Sequence, residues 1–301
     1  MAVHVVGNVA LDTTFRLPRF PQAGETVNAT CASVALGGKG ANQALAALRA
    51  GADVTLWSAV GRDEEAAAVR RGLAEAGLSD RGLSVLALPT DRSAVLVDET
   101  GENLIASAVA CARAFDPAAS RWREDARRGD VLVLQGNLAA DATRGTLETA
   151  RALGLRSVLN ASPLDLGADP LAGRPDVVVV NRVEGEMLTE ERDLARIVLS
   201  LCERGAGAAV VTLGAEGYVF AQNLSDRPSF REAVPARALD TSGAGDVFCG
   251  SFAARLSLGD AFGAALRLAG WAASIAVSRP GTFGCGPSRD EIQTWQTKES
   301  A

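Results

Sequence analysis

Six short runs rich in β-branched residues recur along the chain: "VHVVGNV", "VTLWSAVG", "VLVLQG", "SVLNAS", "VVVVN" and "AAVVTLG". Helix-like segments separate many of them, among them Glu64–Ala76, Asp141–Leu153 and Glu184–Glu203. The runs are continuously apolar instead of alternating, so each strand must be covered on both faces. That constraint leads to an α/β fold: a mostly parallel central sheet with helices on both faces. Hydrophobic residues make up 48% of the chain but aromatic ones only 5%, so Ala, Val, Leu and Gly must do most of the packing. The helix-like stretch Ala261–Val277 reads as part of that core. Ligands of such sheets bind beyond the carboxyl ends of the strands. Several strands end there in polar or small residues, at Gly7-Asn8, Gly136-Asn137, Asn160, Asn181 and Thr212–Gly214.

Two stretches break the alternation. Thr13–Gly38 and Ser93–Ala110 read as strands and turns with no helix between, the second as a hairpin turning at "DETGEN". They are expected to pair into a small separate sheet, as excursions spanning 12–36 and 91–112 of one domain covering 1–301. No linker or internal repeat divides the chain.

Several function classes are disfavoured. A formal charge of −6 does not suit a nucleic-acid-binding surface. Five widely spaced cysteines without C-x-x-C suit reduced thiols better than a disulfide framework or a zinc site. "MAVHVVGNVALD" lacks the features of a signal peptide and no stretch reads as a membrane span, so a cytoplasmic protein is expected. The only histidine, His4, lies in an apolar strand run and reads as a core residue, which leaves acid–base work to carboxylates, Lys or Cys.

Two glycine clusters open helices. "GGKGAN" cannot be a Walker A loop, because Gly40 stands where Ser or Thr is needed, and the first strand is not followed by G-x-G-x-x-G. In "DTSGAGD" (Asp240–Asp246) the backbone can approach a ligand, and the helix start supplies N–H groups and positive potential. Such an anion hole suits a transferring phosphoryl group, and Asp246 beside it is placed to accept a proton from an attacking hydroxyl. The plainer reading is a glycine turn with Asp246 as an ordinary first-turn residue.

"GETV" (Gly24–Val27), "GGKGANQA", "GENLI", "NRVEGE", "TLGAEG" and "DTSGAGD" occur in that order over the whole chain. This set resembles the ribokinase-like (PfkB) carbohydrate kinases. The resemblance implies ATP-dependent transfer of a phosphoryl group to a hydroxymethyl group of a ribose-like or related sugar. It implies Asp246 as catalytic base, with Gly243, Ala244 and Gly245 as the anion hole. Asp12, Gly38, Lys39 and Asn42 match sugar-binding positions, as does Asn137, where ribose-phosphorylating members carry a Glu. Asn181 and Glu184 match the N-x-x-E motif linked to ATP phosphates and hydrated Mg²⁺, and Thr212, Gly214 and Gly217 fall where the nucleotide lies. Asp240, Ser242, Ala276, Arg279, Gly281 and Ser288 match a loop that holds K⁺. The excursions would form a lid that excludes water and pairs two chains into a homodimer.

Ala10 stands where ribose-phosphorylating members have Asn, and "RPGTFGCGPS" reads as longer than their cation loop, so the sugar and the K⁺ requirement stay open. A nucleoside kinase or sugar-phosphate kinase of the same family is the alternative. A non-catalytic sugar sensor is disfavoured because "GAGD" is intact. Cys249 reads as a packing residue, Arg92 as solvated, and Arg121–Asp130 as an exposed helix face.

Overall fold

A computed structural model describes residues 1–100, 102–165 and 167–299. The six apolar runs form six contiguous strands at the centre of a nine-stranded sheet: β1 (Ala2–Val6), β4 (Asp53–Val60), β8 (Val131–Gln135), β9 (Arg156–Asn160), β10 (Val177–Asn181) and β11 (Ala208–Thr212). Their spatial order is β11-β10-β9-β8-β1-β4, all parallel. β5 (Leu83–Val85) extends one edge in parallel, and β12 (Gly217–Ala221) and β13 (Ser229–Glu232) extend the other antiparallel. The α/β expectation is thus borne out.

Alternate residues of each central strand feed two cores, as a parallel sheet covered on both faces requires. Val3, Val5, Val131, Val133, Val177 and Val179 pack with α1 (Lys39–Arg49), α2 (Glu64–Glu75), α8 (Ala244–Ser257) and α9 (Phe262–Ala276). Val6, Leu132, Leu134, Val178 and Val180 face α5 (Ala140–Leu153) and α7 (Leu194–Glu203). His4 is a core residue: Trp57 Nε1 donates to its Nδ1 at 3.2 Å and its Nε2 lies 3.3 Å from Asp130.

The helix expected over Glu184–Glu203 is two helices, α6 (Arg182–Thr189) and α7. Glu190 ends the first in the left-handed conformation (φ 59°), and the Asp193 side chain caps the second by accepting from Arg196 N. Within Arg121–Asp130 only α4 (Trp122–Asp125) is helical, and Trp122 anchors it in the core at 1% exposure among charged neighbours.

The two excursions supply a separate four-stranded sheet, β3-β2-β6-β7, from β2 (Ala10–Arg16), β3 (Cys31–Gly37), β6 (Arg92–Val97) and β7 (Asn103–Ala108). β6 and β7 form the expected antiparallel hairpin, and Asp98 Oδ1 accepts from the N–H groups of Thr100 and Glu102 in its turn; Gly101 of that turn lies outside the described residues. Arg92 makes a surface ion pair with Glu65. Two carboxylates fasten the base of this sheet. Asp63 accepts from Thr90 N, and Asp91 accepts from Cys111 N and Ala112 N at the start of α3 (Ala110–Ala114).

Burial pushes the Asp91 carboxyl up to about 6. The folded chain therefore holds this proton more tightly than the unfolded one. The associated stability is complete below the ordinary carboxylate range and is lost as pH rises through about 6, at about 1.4 kcal/mol per pH unit between the two values. Urea denaturation of the wild type and of Asp91→Asn should show the wild type losing stability relative to the variant between pH 4.5 and 7.

α1 and α8 approach closely because Gly250 has no side chain: a Cβ there would lie 2.2 Å from the Gln43 carbonyl oxygen. Gly250→Ala must push the two helices apart, with an expected loss of about 3 kcal/mol in urea denaturation. Among the described residues no helix is long and apolar enough to cross a membrane.

Candidate active site

The first glycine cluster presses the start of α1 against the end of β1. Gly38 takes φ 91°, and a Cβ on Gly40 would stand 2.6 Å from Asn8 O. The second cluster starts α8: Gly243 is its N-cap in the left-handed conformation (φ 77°), and no side chain caps the helix. The N–H groups of Ala244, Gly245 and Asp246 have no intrahelical acceptor and lie on a cavity wall, so they remain available to an anion.

Asp246 lies where the two helix starts meet and is 4% exposed. Asn42 Nδ2 donates to its Oδ2 at 2.9 Å, Gln43 Nε2 donates to its Oδ1 at 2.9 Å, and Lys39 Nζ stands 3.7 Å from Oδ1. The Asp246 charge raises the Lys39 ammonium above its ordinary value, keeping it charged. Oδ2, with one amide donor, retains a lone pair for a further donor.

The cavity beside this carboxylate has a volume of about 1040 Å³. Lys39, Asn181, Glu184, Thr212, Gly214 and Gly217 line it together with Gly243, Ala244, Gly245 and Asp246. The sequence-named nucleotide and anion-hole positions therefore share one space. Asn181 and Glu184 form a capping box at the start of α6: Asn181 Oδ1 accepts from Glu184 N and Glu184 Oε2 from Asn181 N, each at 2.9 Å.

The other sugar-side residues, Asp12, Gly38, Asn42 and Asn137, are not among those that line this cavity. Asp12, 9% exposed, needs Gly37 to be a glycine, because a Cβ there would fall 2.0 Å from its Oδ2. Burial raises its carboxyl above the ordinary range, although Ser93 and Thr282 hydrogen-bond to it. Asn42 and Asn137 each have a buried side-chain oxygen without a partner, an acceptor that ligand hydroxyls could satisfy. Ala10, beside Asp12 on β2, is buried and offers no such group.

The matched cation loop is folded around Asp240, which accepts from Ser242 N and Gly281 N at 2.9 Å each, while Asp240 N donates to Val277 O. Arg279 N donates to Ala276 O, and the Arg279 side chain turns away to Gly286 O and Glu291. Ser288 exchanges hydrogen bonds with Glu291 at the start of α10 (Arg289–Glu299). Cys285, instead, has its Sγ 3.9 Å from Ser242 O and 3.3 Å from Thr282 O.

Three features of the site escaped the sequence reading. Gln43 holds Asp246; Thr282 Oγ1 donates to Asp12 Oδ2 at 3.3 Å across the cation loop; and Trp271 and Trp295, stacked at 5.2 Å, line the cavity. For Gln43 the signal was its place within "GGKGANQA"; the other two carry none, being contacts between distant segments. Cys249 is fully buried and burial raises its thiol well above the ordinary range, which suits a packing residue.

Comparison with known proteins bears on this geometry. The chain is 28% identical to a ribokinase of Haemophilus influenzae over 294 residues, 95% of each chain. It is likewise 28% identical to a deoxyribokinase of Salmonella typhi over 308 residues, 98% of each. A crystal structure of ribokinase from Thermotoga maritima superimposes with a TM-score of 0.88 at 26% identity, covering 98% of this chain and 99% of that one. The profile of pfkB family carbohydrate kinases matches residues 2–289. With the family match running over nearly its whole length, the chain belongs to the PfkB family of carbohydrate kinases, phosphotransferases with an alcohol group as acceptor.

Proposed function

We propose that this kinase uses ATP to phosphorylate a hydroxymethyl group of a ribose-like sugar, with Asp246 as the base. The observation that carries the reading is the Asp246 carboxylate, gripped by Asn42, Gln43 and Lys39 beside the uncapped start of α8. The alcohol proton passes to Asp246, its oxygen bonds to the γ-phosphorus, and the bond to the β–γ bridging oxygen breaks, releasing ADP. Amides of Ala244 and Gly245 receive charge that develops on the equatorial oxygens, with Lys39 as a nearby cation.

Nucleotide binding in the large cavity accounts for Asn181, Glu184, Thr212, Gly214 and Gly217 on its walls. Related structures hold matching ligands: a ribokinase of Arabidopsis thaliana is complexed with ribose and ATP, and one of Cryptococcus neoformans with ADP. Mg²⁺ would be held chiefly through phosphates and water, with Asn181 and Glu184 at the start of α6 as the protein groups of the cavity wall facing it. It would neutralise phosphate charge. Asp240 and the main-chain carbonyls of residues 276, 279 and 281 would supply the oxygen donors for K⁺, in the loop that Asp240 holds through Ser242 N and Gly281 N. Asp12, Gly38, Lys39, Asn42 and Asn137 would hold the sugar, under the small sheet as a lid. Exposed Val34, Leu104 and Ile105 on that sheet support its pairing with a second copy.

A coupled assay of ADP release over pentoses, hexoses, their phosphates and nucleosides, run in KCl and in NaCl, tests the reading. Turnover of a free ribose-like sugar supports it; turnover confined to nucleosides or sugar phosphates replaces the substrate.

A further inference from the structure

Gln43 is fully buried in the first half of α1 and every polar atom of its amide is engaged. Its Nε2 donates to Asp246 Oδ1 at 2.9 Å and to Asn160 Oδ1 at 3.1 Å, and its Oε1 accepts from Gln135 Nε2 at 2.8 Å. Asn160 Nδ2 in turn donates to Val179 O at 3.2 Å. A chain of amides thus runs from the carboxylate to the carboxyl ends of β8 and β9 and the backbone of β10.

Gly7 makes room for it, and Gly250 lets the main chain that carries Gln43 come close to α8. A Cβ on Gly7 would stand 1.8 Å from Gln135 Oε1, and one on Gly250 would stand 2.2 Å from Gln43 O. Gln135 is itself fully buried, and its Oε1 lacks a partner. Burying three amides where apolar side chains would fill the same space carries a desolvation cost, which argues for a role beyond packing.

The chain of amides also has a direction. A glutamine amide can turn over, presenting either oxygen or nitrogen to a neighbour. Here Gln135 supplies a donor and Asn160 an acceptor, and only one orientation of Gln43 satisfies both. That orientation points its N–H, not its carbonyl oxygen, at Asp246.

We propose that Gln43 is a positioning residue for the base: it holds Asp246 so that the open lone pair on Oδ2 faces the acceptor alcohol, and Gln135 with Asn160 fixes which way the Gln43 amide points. The proposal rests on Asp246 being the base.

Gln43→Met keeps the volume and removes the donor. Its kcat should fall about 10- to 100-fold, the range for losing a hydrogen bond to a charged group. KM for sugar and for ATP should stay within about twofold, because ligand contacts are untouched. Gln135→Met should show the same pattern, weaker. If Gln43→Met fails to fold, Gln43→Glu and Gln135→Met carry the test. In Gln43→Glu a carboxylate replaces the donor that faces Asp246, and kcat should fall further with KM again little changed. An unchanged kcat, or a fall in kcat accompanied by a matching change in KM, would overturn the proposal. Should Asp246→Asn also turn over normally, the fault lies instead with the assignment of the base.

Discussion

Asp246→Asn should bind sugar and nucleotide nearly as the wild type does, while kcat falls about 10²–10⁴-fold, the range for removing a general base. The substitution keeps the shape that Asn42 and Gln43 grip from either side. It removes the one group at the start of α8 able to take a proton from the acceptor alcohol. Lys39 loses its ion-pair partner and should become easier to deprotonate, since the Asp246 charge is the main cause raising it. Steady-state kinetics beside calorimetric titration of each ligand reads both halves of the expectation. Loss of binding with unchanged turnover per bound complex would make Asp246 a ligand contact only.

Gly243→Ala carries the second large effect. Gly243 is left-handed at φ 77°, where an L side chain costs about 1–2 kcal/mol. The new Cβ would lie 2.8 Å from Thr282 O and 3.2 Å from Cys285 Sγ. Thr282 belongs to the loop that Asp240 holds through Gly281 N, and it reaches Asp12. The clash therefore displaces either the anion-hole backbone or the loop beside it. Misaligned oxyanion donors typically cost about 10²–10³ in kcat, and that is the drop expected here. Gly263→Ala, where a Cβ meets open space, is the control and should behave as the wild type.

The central sheet was legible because its strands are buried on both faces: "VVVVN" and "VLVLQG" leave no solvated side, and only a parallel sheet between helices accepts that pattern. The helix starts were legible because the glycine clusters mark places where backbone must turn or come close, as Gly38, Gly40 and Gly243 do. The break at Glu190 was hidden, since the apolar period continues across it and only an Asp cap three residues later marks it. Contacts across the sequence were hidden for a different reason. Gln43 meets Asp246 from 203 positions away and Thr282 meets Asp12 from 270. No local periodicity encodes such pairs; the packing of α1 on α8 and the path of the 278–288 loop create them.

The most direct measurement is a crystal structure of the protein with the sugar it phosphorylates, ADP and an aluminium fluoride mimic of the transferring phosphoryl group. The fluorines should lie about 2.7–3.1 Å from the main-chain nitrogens of Ala244 and Gly245, with the acceptor oxygen about 2.6–3.2 Å from Asp246. A mimic bound elsewhere in the cavity, or an acceptor oxygen facing some group other than Asp246, would contradict the account.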